Sequence, residues 1–143
     1  MIIFLDFDGV LHSENQRDEE LFCRTPLLWK IMHACPNVRV VFSTSWRTIY
    51  KFDQLIEFAT YGGGEDLAHR FIGSTPDFDR DGIYGRRDLE IEKWAEDNGN
   101  PDWLAIDDIE GLFNGGHPNL FLIDGNIALT DEDAREIIEE VSR

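Results

Sequence analysis

The sequence predicts an α/β fold, in which one domain of 143 residues is organised around a doubly wound parallel sheet. Two short segments, 2–5 and 103–106, are apolar without a polar break, which is typical of parallel strands buried on both faces. A strand, a helix and a second strand also follow one another within about forty residues, as in a right-handed crossover unit. A chain of this length can bury a sizeable core.

The first strand leads directly into two carboxylates. Asp6 and Asp8 stand two positions apart, so in an extended chain their side chains point to one side and that of Phe7 to the other. Gly9 follows where the chain must turn sharply. Two acids at the end of a buried strand oppose each other's ionisation, and a hard cation would compensate. The alternative is a simple Asp-Gly turn, in which Asp6 acts as a cap.

The following segment predicts a loop, a helix and the second strand. Residues 13–24 are mostly polar and predict a loop or small flap. Thr25 and Pro26 predict the N-cap and the first position of a helix that ends at 35–37. The second strand is then predicted at 38–42, where the chain is again apolar.

Three hydroxyl side chains, those of Ser43, Thr44 and Ser45, follow the second strand. Backbone N–H groups are free where a strand gives way to a helix, so hydroxyls and amides together could cradle an anion there. An ordinary helix N-cap is the alternative, and it needs only one Ser or Thr.

The middle of the chain is less regular. Helical spacing predicts a helix over 52–59 and a short one over 67–71, separated by the glycines at 62–64. Asp81 and Gly82 predict the turn of a small hairpin.

A basic pair, Arg86 and Arg87, opens the next helix, which ends at 98–101. The helix macrodipole prefers acids at this end. Either one arginine faces a negative group, or both are solvated and offset by nearby acids.

The strand at 103–106 ends in Asp107 and Asp108, which repeats the arrangement at the start of the chain. Open α/β sheets bind ligands at the carboxyl ends of their strands, so we expect the two acidic pairs to converge. A further strand at 120–123 and a last helix capped by Thr130 complete the expected fold.

Composition argues against several classes of protein. With 13 Lys and Arg and a formal net charge of -16, the surface should not attract nucleic acid non-specifically. The sequence has neither an apolar run approaching the about 20 residues of a membrane helix nor a signal-peptide pattern. Cys23 and Cys35 are too few for a zinc cluster or disulfide framework, so we expect free thiols in a cytoplasmic protein. His12 should line the rim of a pocket beside the first acidic pair.

Four ordered motifs resemble those of the haloacid dehalogenase (HAD) superfamily of phosphohydrolases. They are Phe-Leu-Asp-Phe-Asp-Gly-Val-Leu at 4–11, a strand ending in Ser-Thr-Ser, a basic residue that opens a helix, and Ile-Asp-Asp at 106–108. Ile-Gly-Ser-Thr-Pro at 72–76 and Ser-Trp-Arg after the second strand are similar to a compact bacterial branch, which resembles the phosphatase-like domains of some RNA-repair proteins. The resemblance implies one Rossmann-like domain over 1–143.

The resemblance also implies roles for the acids. Asp6 would be the nucleophile that forms an aspartyl phosphate, and Asp8 the general acid and then the general base. Mg²⁺ would be held by a carboxylate oxygen of Asp6, the backbone carbonyl of Asp8, and Asp107 or Asp108.

Phosphate-binding roles follow in the same way. Thr44 would hydrogen-bond the phosphoryl oxygens, although Ser43 or Ser45 could take its place, and Gly9 would line the same phosphate site. Arg87, in competition with Arg86, would offset the charge that develops in transfer. The superfamily members compared usually carry Lys there, and Arg keeps the charge but changes the geometry.

These implied roles predict a Mg²⁺-dependent phosphatase acting on a phosphomonoester. Only about thirty residues separate Asp8 from the second strand, so no large cap domain fits there. The open pocket suits the phosphorylated end of a larger molecule or a small phosphate bound with little selectivity, and neither a membrane nor long nucleic acid is an expected partner. The alternatives are a polynucleotide-end phosphatase and a non-catalytic phosphate-binding or interaction module.

Overall fold

Five parallel strands form the centre of the computed structural model, which describes residues 1–114 and 116–143. The strands are hydrogen-bonded in the order β3-β2-β1-β4-β5. The chain winds outward from β1 through β2 to β3, then crosses back and continues through β4 to β5. The carboxyl ends of β1 and β4 therefore form the switch point of the sheet, where open α/β folds bind ligands. The strands are β1 Ile2–Leu5, β2 Arg39–Phe42, β3 Phe71–Ser74, β4 Trp103–Asp107 and β5 Leu120–Leu122.

Helices cover both faces of the sheet, as a doubly wound α/β fold requires. On β1, Ile3 and Leu5 belong to the apolar cluster that includes residues of α1, α2 and α4, whereas Ile2 and Phe4 pack with Ile91 of α3. The central strand is consequently buried on both sides, which is why its sequence is uniformly apolar. The helices are α1 Thr25–Ala34, α2 Phe52–Thr60, α3 Arg87–Asp97 and α4 Asp131–Val141, with 3₁₀ turns at Asp18–Glu20, Ser45–Thr48, Glu65–Arg70 and Glu110–Phe113.

The connections between elements carry no inserted cap within the described residues. Residues 6–24 contain one 3₁₀ turn, and residues 75–86 contain turns without a helix or strand. No helix in the two described ranges is long and apolar enough to cross a membrane. Cys23 is exposed and Cys35 is buried, and both are free thiols.

Three local expectations were wrong. Phe71 lies in β3 rather than in a short helix, because its ring is buried against that of Phe42, with centroids 5.3 Å apart. Thr25 does not cap α1; Arg24 is the N-cap, and the Thr25 hydroxyl donates to the Phe22 carbonyl. The segment around Asp81 turns, with no strand to make a hairpin among the residues described there. In the first case tertiary burial overrides helical spacing.

The predicted cap of the last helix is confirmed. The Thr130 hydroxyl accepts from the Asp133 backbone N–H at 3.1 Å, and the Asp133 carboxylate accepts from the Thr130 N–H at 3.0 Å. Two N–H groups that the helix cannot satisfy internally are thus paired reciprocally.

Replacing Thr130 by Ala should lower the free energy of unfolding by about 1 kcal/mol, because one helix N–H loses its acceptor. Urea unfolding followed by circular dichroism measures this loss. Thr130→Ser keeps the hydroxyl and should retain most of the stability. An Ala variant as stable as the wild type would show that the cap contributes nothing.

Candidate functional site

Three carboxylates meet at the carboxyl ends of β1 and β4. These strands pair in parallel with Leu5 opposite Ile106, so the next residues, Asp6 and Asp107, lie side by side at the carboxyl ends of the two strands. One oxygen each from Asp6, Asp107 and Asp108 lies within 4.8 Å of the others. Residues separated by a hundred positions in the sequence are in this way brought into one group.

Burial makes this group electrostatically unfavourable on its own. Asp6 and Asp107 are 4% and 0% exposed. Burial, together with the charge of Asp107, raises the pKa of Asp6 well above its usual range. Burial also raises the pKa of Asp108, to about 6, and Asp107 adds to that effect. Ionised together, these side chains need a positive charge nearby.

Arg87 supplies part of that charge. Its Nη1 lies 2.6 Å from Asp107 Oδ2 and 3.4 Å from Asp6 Oδ1. Burial opposes the charged guanidinium, but the two carboxylates outweigh this and raise the pKa of Arg87. Arg86 instead makes a two-point contact with Asp88, at 3.0 Å for each nitrogen. Of the basic pair that opens α3, Arg87 is therefore the arginine that faces the acids.

The charges and donors at the site fit a divalent cation. Three carboxylates face one guanidinium, so an excess of negative charge remains when all are ionised. Asp107 has protein donors on both oxygens: Arg87 on Oδ2, and the N–H groups of Asp108 and Ile109 on Oδ1. Asp108 Oδ1 is buried without a hydrogen-bond partner in the described residues. Hard carboxylate oxygens in this arrangement suit Mg²⁺. Asp6 and Asp108 accept fewer hydrogen bonds from the protein than Asp107 does, so their oxygens are better placed to bind a cation.

Two glycines leave room for the Asp108 carboxylate. A Cβ built at Gly9 or at Gly125 would overlap Asp108 Oδ2. Gly9 also has a φ of +80°, a conformation that side chains disfavour. Gly9, predicted for its turn, thus also permits the close approach of Asp108. No feature of the sequence singles out Gly125, because its neighbour across space is not visible in sequence.

The Asp8 carboxylate lies outside this group and has other partners. His12 Nε2 is 2.7 Å from Asp8 Oδ1, and Trp46 Nε1 donates to Oδ2 at 2.9 Å. His12 Nδ1 accepts the Phe22 backbone N–H, so the ring proton is on Nε2 and is donated to Asp8. Both hydrogen bonds lower the pKa of Asp8, and the bond from His12 has the larger effect. The chain turns after β1, with the Val10 and Leu11 N–H groups donating to Phe7 O, so strand alternation no longer applies to Asp8.

His12 itself differs from expectation. It is 1% exposed, so it lies behind Asp8 rather than at a pocket rim. Its ring packs edge-on against Phe22, with centroids 5.0 Å apart. A histidine four residues after the second acid was visible in the sequence, but its role as a donor to Asp8 depends on Phe22, which lies in the following loop.

The three hydroxyls that follow β2 have different environments. Thr44 is fully buried, and its Oγ1 accepts the Trp46 N–H at 3.3 Å, which caps the 3₁₀ turn Ser45–Thr48. Ser43 Oγ is buried and has no partner within the described residues. Ser45 is exposed and lines a cavity of about 230 Å³ together with Arg87. The cavity thus combines a hydroxyl and a guanidinium with the carboxylates of Asp77, Asp79 and Glu90.

Comparison with known proteins identifies one family. A family model described as the HAD domain in Swiss Army Knife RNA repair proteins matches residues 2–134. No curated protein and no solved structure matches the chain.

Mg²⁺ should raise the melting temperature of the wild type, and Asp108→Asn should remove most of this shift. A cation at a hundred times its dissociation constant stabilises the folded state by about 2.7 kcal/mol, and the variant lacks the carboxylate that has an unsatisfied oxygen. The measurement is the melting temperature with EDTA and with Mg²⁺. Asp81→Asn, in an exposed loop, should retain the full shift. Equal shifts in the two variants would exclude Asp108 as a ligand.

Gly125→Ala should disturb the site through space. The added methyl group overlaps the Asp108 carboxylate, and forcing them apart should cost about 1–3 kcal/mol of folding stability and weaken Mg²⁺ binding. Gly111→Ala adds the same group where nothing lies within 4 Å and serves as the control. Chemical unfolding and a Mg²⁺ titration measure both effects. If the two variants behave alike, the close approach to Asp108 has no energetic consequence.

Proposed function

The chain belongs to the family of HAD domains in Swiss Army Knife RNA repair proteins, and on this premise we propose that it is a Mg²⁺-dependent phosphatase. The substrate would be a phosphomonoester, hydrolysed through an aspartyl phosphate. Family membership supports a phosphohydrolase or a related function in general. The observation that carries the finer proposal is the group formed by Asp6, Asp107 and Asp108, with Arg87 on one side and an unpaired oxygen of Asp108 within it.

Asp6 is the proposed nucleophile. It follows the central strand, and its backbone N–H donates to the Ile106 carbonyl at 3.2 Å, so its side chain is presented from a rigid element. A carboxylate oxygen of Asp6 would attack phosphorus as the bond from phosphorus to the leaving oxygen breaks. Arg87, in contact with Asp6, would stabilise the charge on the transferring group and hold it in line.

Asp8 is the proposed proton carrier. It would donate a proton to the leaving oxygen, then take one from the water that attacks the aspartyl phosphate, which releases phosphate and restores Asp6. His12 and Trp46 stabilise the ionised carboxylate that the second step needs. A phosphate dianion brought close to Asp8 favours the protonated form that the first step needs, because like charges raise the pKa of an acid.

Mg²⁺ would be held by Asp6, Asp108, the backbone carbonyl of Asp8 and, more weakly, Asp107. When bound, it supplies positive charge that lets the acids stay ionised beside a phosphate. Ser45 and Thr44 are the hydroxyls proposed to hydrogen-bond the phosphoryl oxygens. Ser45 lines the cavity shared with Arg87, which supports this role.

A second candidate function is a phosphatase acting on polynucleotide ends. The description of the family, which refers to RNA repair proteins, favours it. Apolar surface beside Asp8 also favours it: Tyr50 stacks on Trp46 with ring centroids 5.3 Å apart and is 37% exposed, and Ile49 is 77% exposed. Aromatic faces of this kind bind bases of any sequence. The net charge of -16 favours a short contact at an end over a long bound strand.

Asp6→Asn should abolish turnover while the protein remains folded, because an amide cannot form the covalent intermediate. Phosphate release should fall by about three orders of magnitude or more. The assay uses p-nitrophenyl phosphate, nucleoside monophosphates and 3′-phosphorylated oligonucleotides, with Mg²⁺ or with EDTA. Asp18→Asn, in the exposed loop, should keep wild-type activity. Full activity of Asp6→Asn would disprove the covalent mechanism, and no turnover by the wild type on any substrate would disprove the phosphatase.

A further inference from the structure

Arg47 is held inside the protein by hydrogen bonds from each of its nitrogens. A guanidinium carries five N–H donors in a rigid fork, and Arg47 donates four hydrogen bonds to backbone carbonyls and forms an ion pair with Glu90. The side chain is 7% exposed. It donates to the carbonyls of Thr75 at 3.0 Å from Nε, Thr44 at 2.9 Å and Ser43 at 3.4 Å from Nη1, and Pro76 at 2.9 Å from Nη2. Its Nη2 also lies 2.9 Å from Glu90 Oε2, in an ion pair.

Glu90 connects this arginine to α3. Its side chain is also 7% exposed, and Oε2 accepts the Phe78 backbone N–H at 2.8 Å in addition to the contact with Arg47. Glu90 lies three residues after Arg87, which is close to one helical turn. The pair therefore joins the segment that follows β2 to the first turn of α3.

Both joined segments carry groups proposed to contact phosphate. Ser45 and Arg87 line one cavity of about 230 Å³, and Arg47 and Glu90 line the same cavity. Every nitrogen of Arg47 already donates to a backbone carbonyl of the protein. Its position at the cavity, together with these internal bonds, points to a role in geometry rather than in ligand binding.

We propose that Arg47 and Glu90 are positioning residues, whose buried ion pair holds the Thr44–Ser45 segment and Arg87 at the separation needed to engage one phosphoryl group. This inference rests on the proposed phosphatase function. A buried ion pair by itself is weak evidence for stability, because desolvation offsets most of its attraction. A fork that bonds the Ser43 and Thr44 carbonyls on one side and α3 on the other does, however, restrict how these segments move relative to each other.

The test replaces each partner conservatively. Arg47→Lys keeps the charge but removes the fork, and Glu90→Gln keeps the shape but removes the charge. A displacement of about 1 Å between catalytic groups can lower a rate by about a hundredfold, so we expect kcat to fall by about tenfold to a hundredfold in folded protein. Inorganic phosphate should inhibit both variants less strongly. The Mg²⁺-dependent rise in melting temperature should be unchanged, because Asp6 and Asp108 remain in place.

Arg70→Lys is the matched control. Arg70 is 6% exposed and donates to the carbonyls of Met32, Cys35 and Val38. Val38 directly precedes β2, so these bonds lie at the amino ends of the strands, opposite to the end that carries the carboxylates. This variant loses the same kind of fork far from the site. It should lose stability but keep the wild-type kcat at temperatures where it is folded.

The outcomes separate positioning from simple structural support. Wild-type kcat and phosphate inhibition in both Arg47→Lys and Glu90→Gln would overturn the inference. Losses of kcat that only follow the folded fraction of the protein, as expected for Arg70→Lys, would overturn it too. If Arg47→Lys does not fold, the milder Glu90→Gln decides. If the wild type turns over no phosphomonoester, the phosphatase proposal fails. The positioning role of Arg47 and Glu90 is then tested by titration with inorganic phosphate, followed by ³¹P NMR. An unchanged phosphate affinity in Glu90→Gln would overturn that role.

Discussion

The parallel register of β1 and β4 places Asp6 beside Asp107, and the rest of the site depends on this enforced proximity of like charges. The apolar residues of both strands are buried on two faces, so the backbone cannot separate the acids without disrupting the core. Arg87, which lies at the start of α3, offsets part of the repulsion between the carboxylates. The negative charge that remains would attract a cation, and it is sustained by packing elsewhere in the molecule.

The two acids that follow β1 are held in different ways, although they are only two residues apart. Asp6 is buried among carboxylates, which favours its protonated form in the absence of a cation. Asp8 receives N–H groups from His12 and Trp46, which favours its ionised form. Positions that are neighbours in the sequence thus have opposite electrostatic environments in the folded protein.

No inserted cap covers the carboxyl ends of the strands in the described connections, although Asp6 and Asp107 are themselves buried. In the proposed phosphatase, selectivity for a leaving group would then come from the surface around the site. Trp46 contributes to this surface and to the site itself, since its indole N–H bonds Asp8 while its ring stacks on the partly exposed Tyr50. Any change in how the aromatic rings pack would therefore also reach the Asp8 carboxylate.

Local chemistry determined the elements and the residue types of the site. The uninterrupted apolar run of β1 is typical of a strand buried on both faces, the acids at the ends of β1 and β4 follow from their place in the sequence, and Thr130 followed by Asp133 encodes its own cap. Contacts between distant segments were decided by the tertiary structure. Helical spacing around Phe71 could not reveal that its ring would stack on Phe42.

The same division applies within the site. The sequence determined that a basic pair stands beside acids, but only the rotation of α3 decided that Arg87 faces Asp107 while Arg86 binds Asp88. Likewise, no residue near Gly125 in the sequence indicates that the Asp108 carboxylate lies directly against it in the fold. A periodic pattern specifies which face of a helix or strand is buried. Which residue of another element packs against that face is set by how the elements pack, and that information is absent from any local window of sequence.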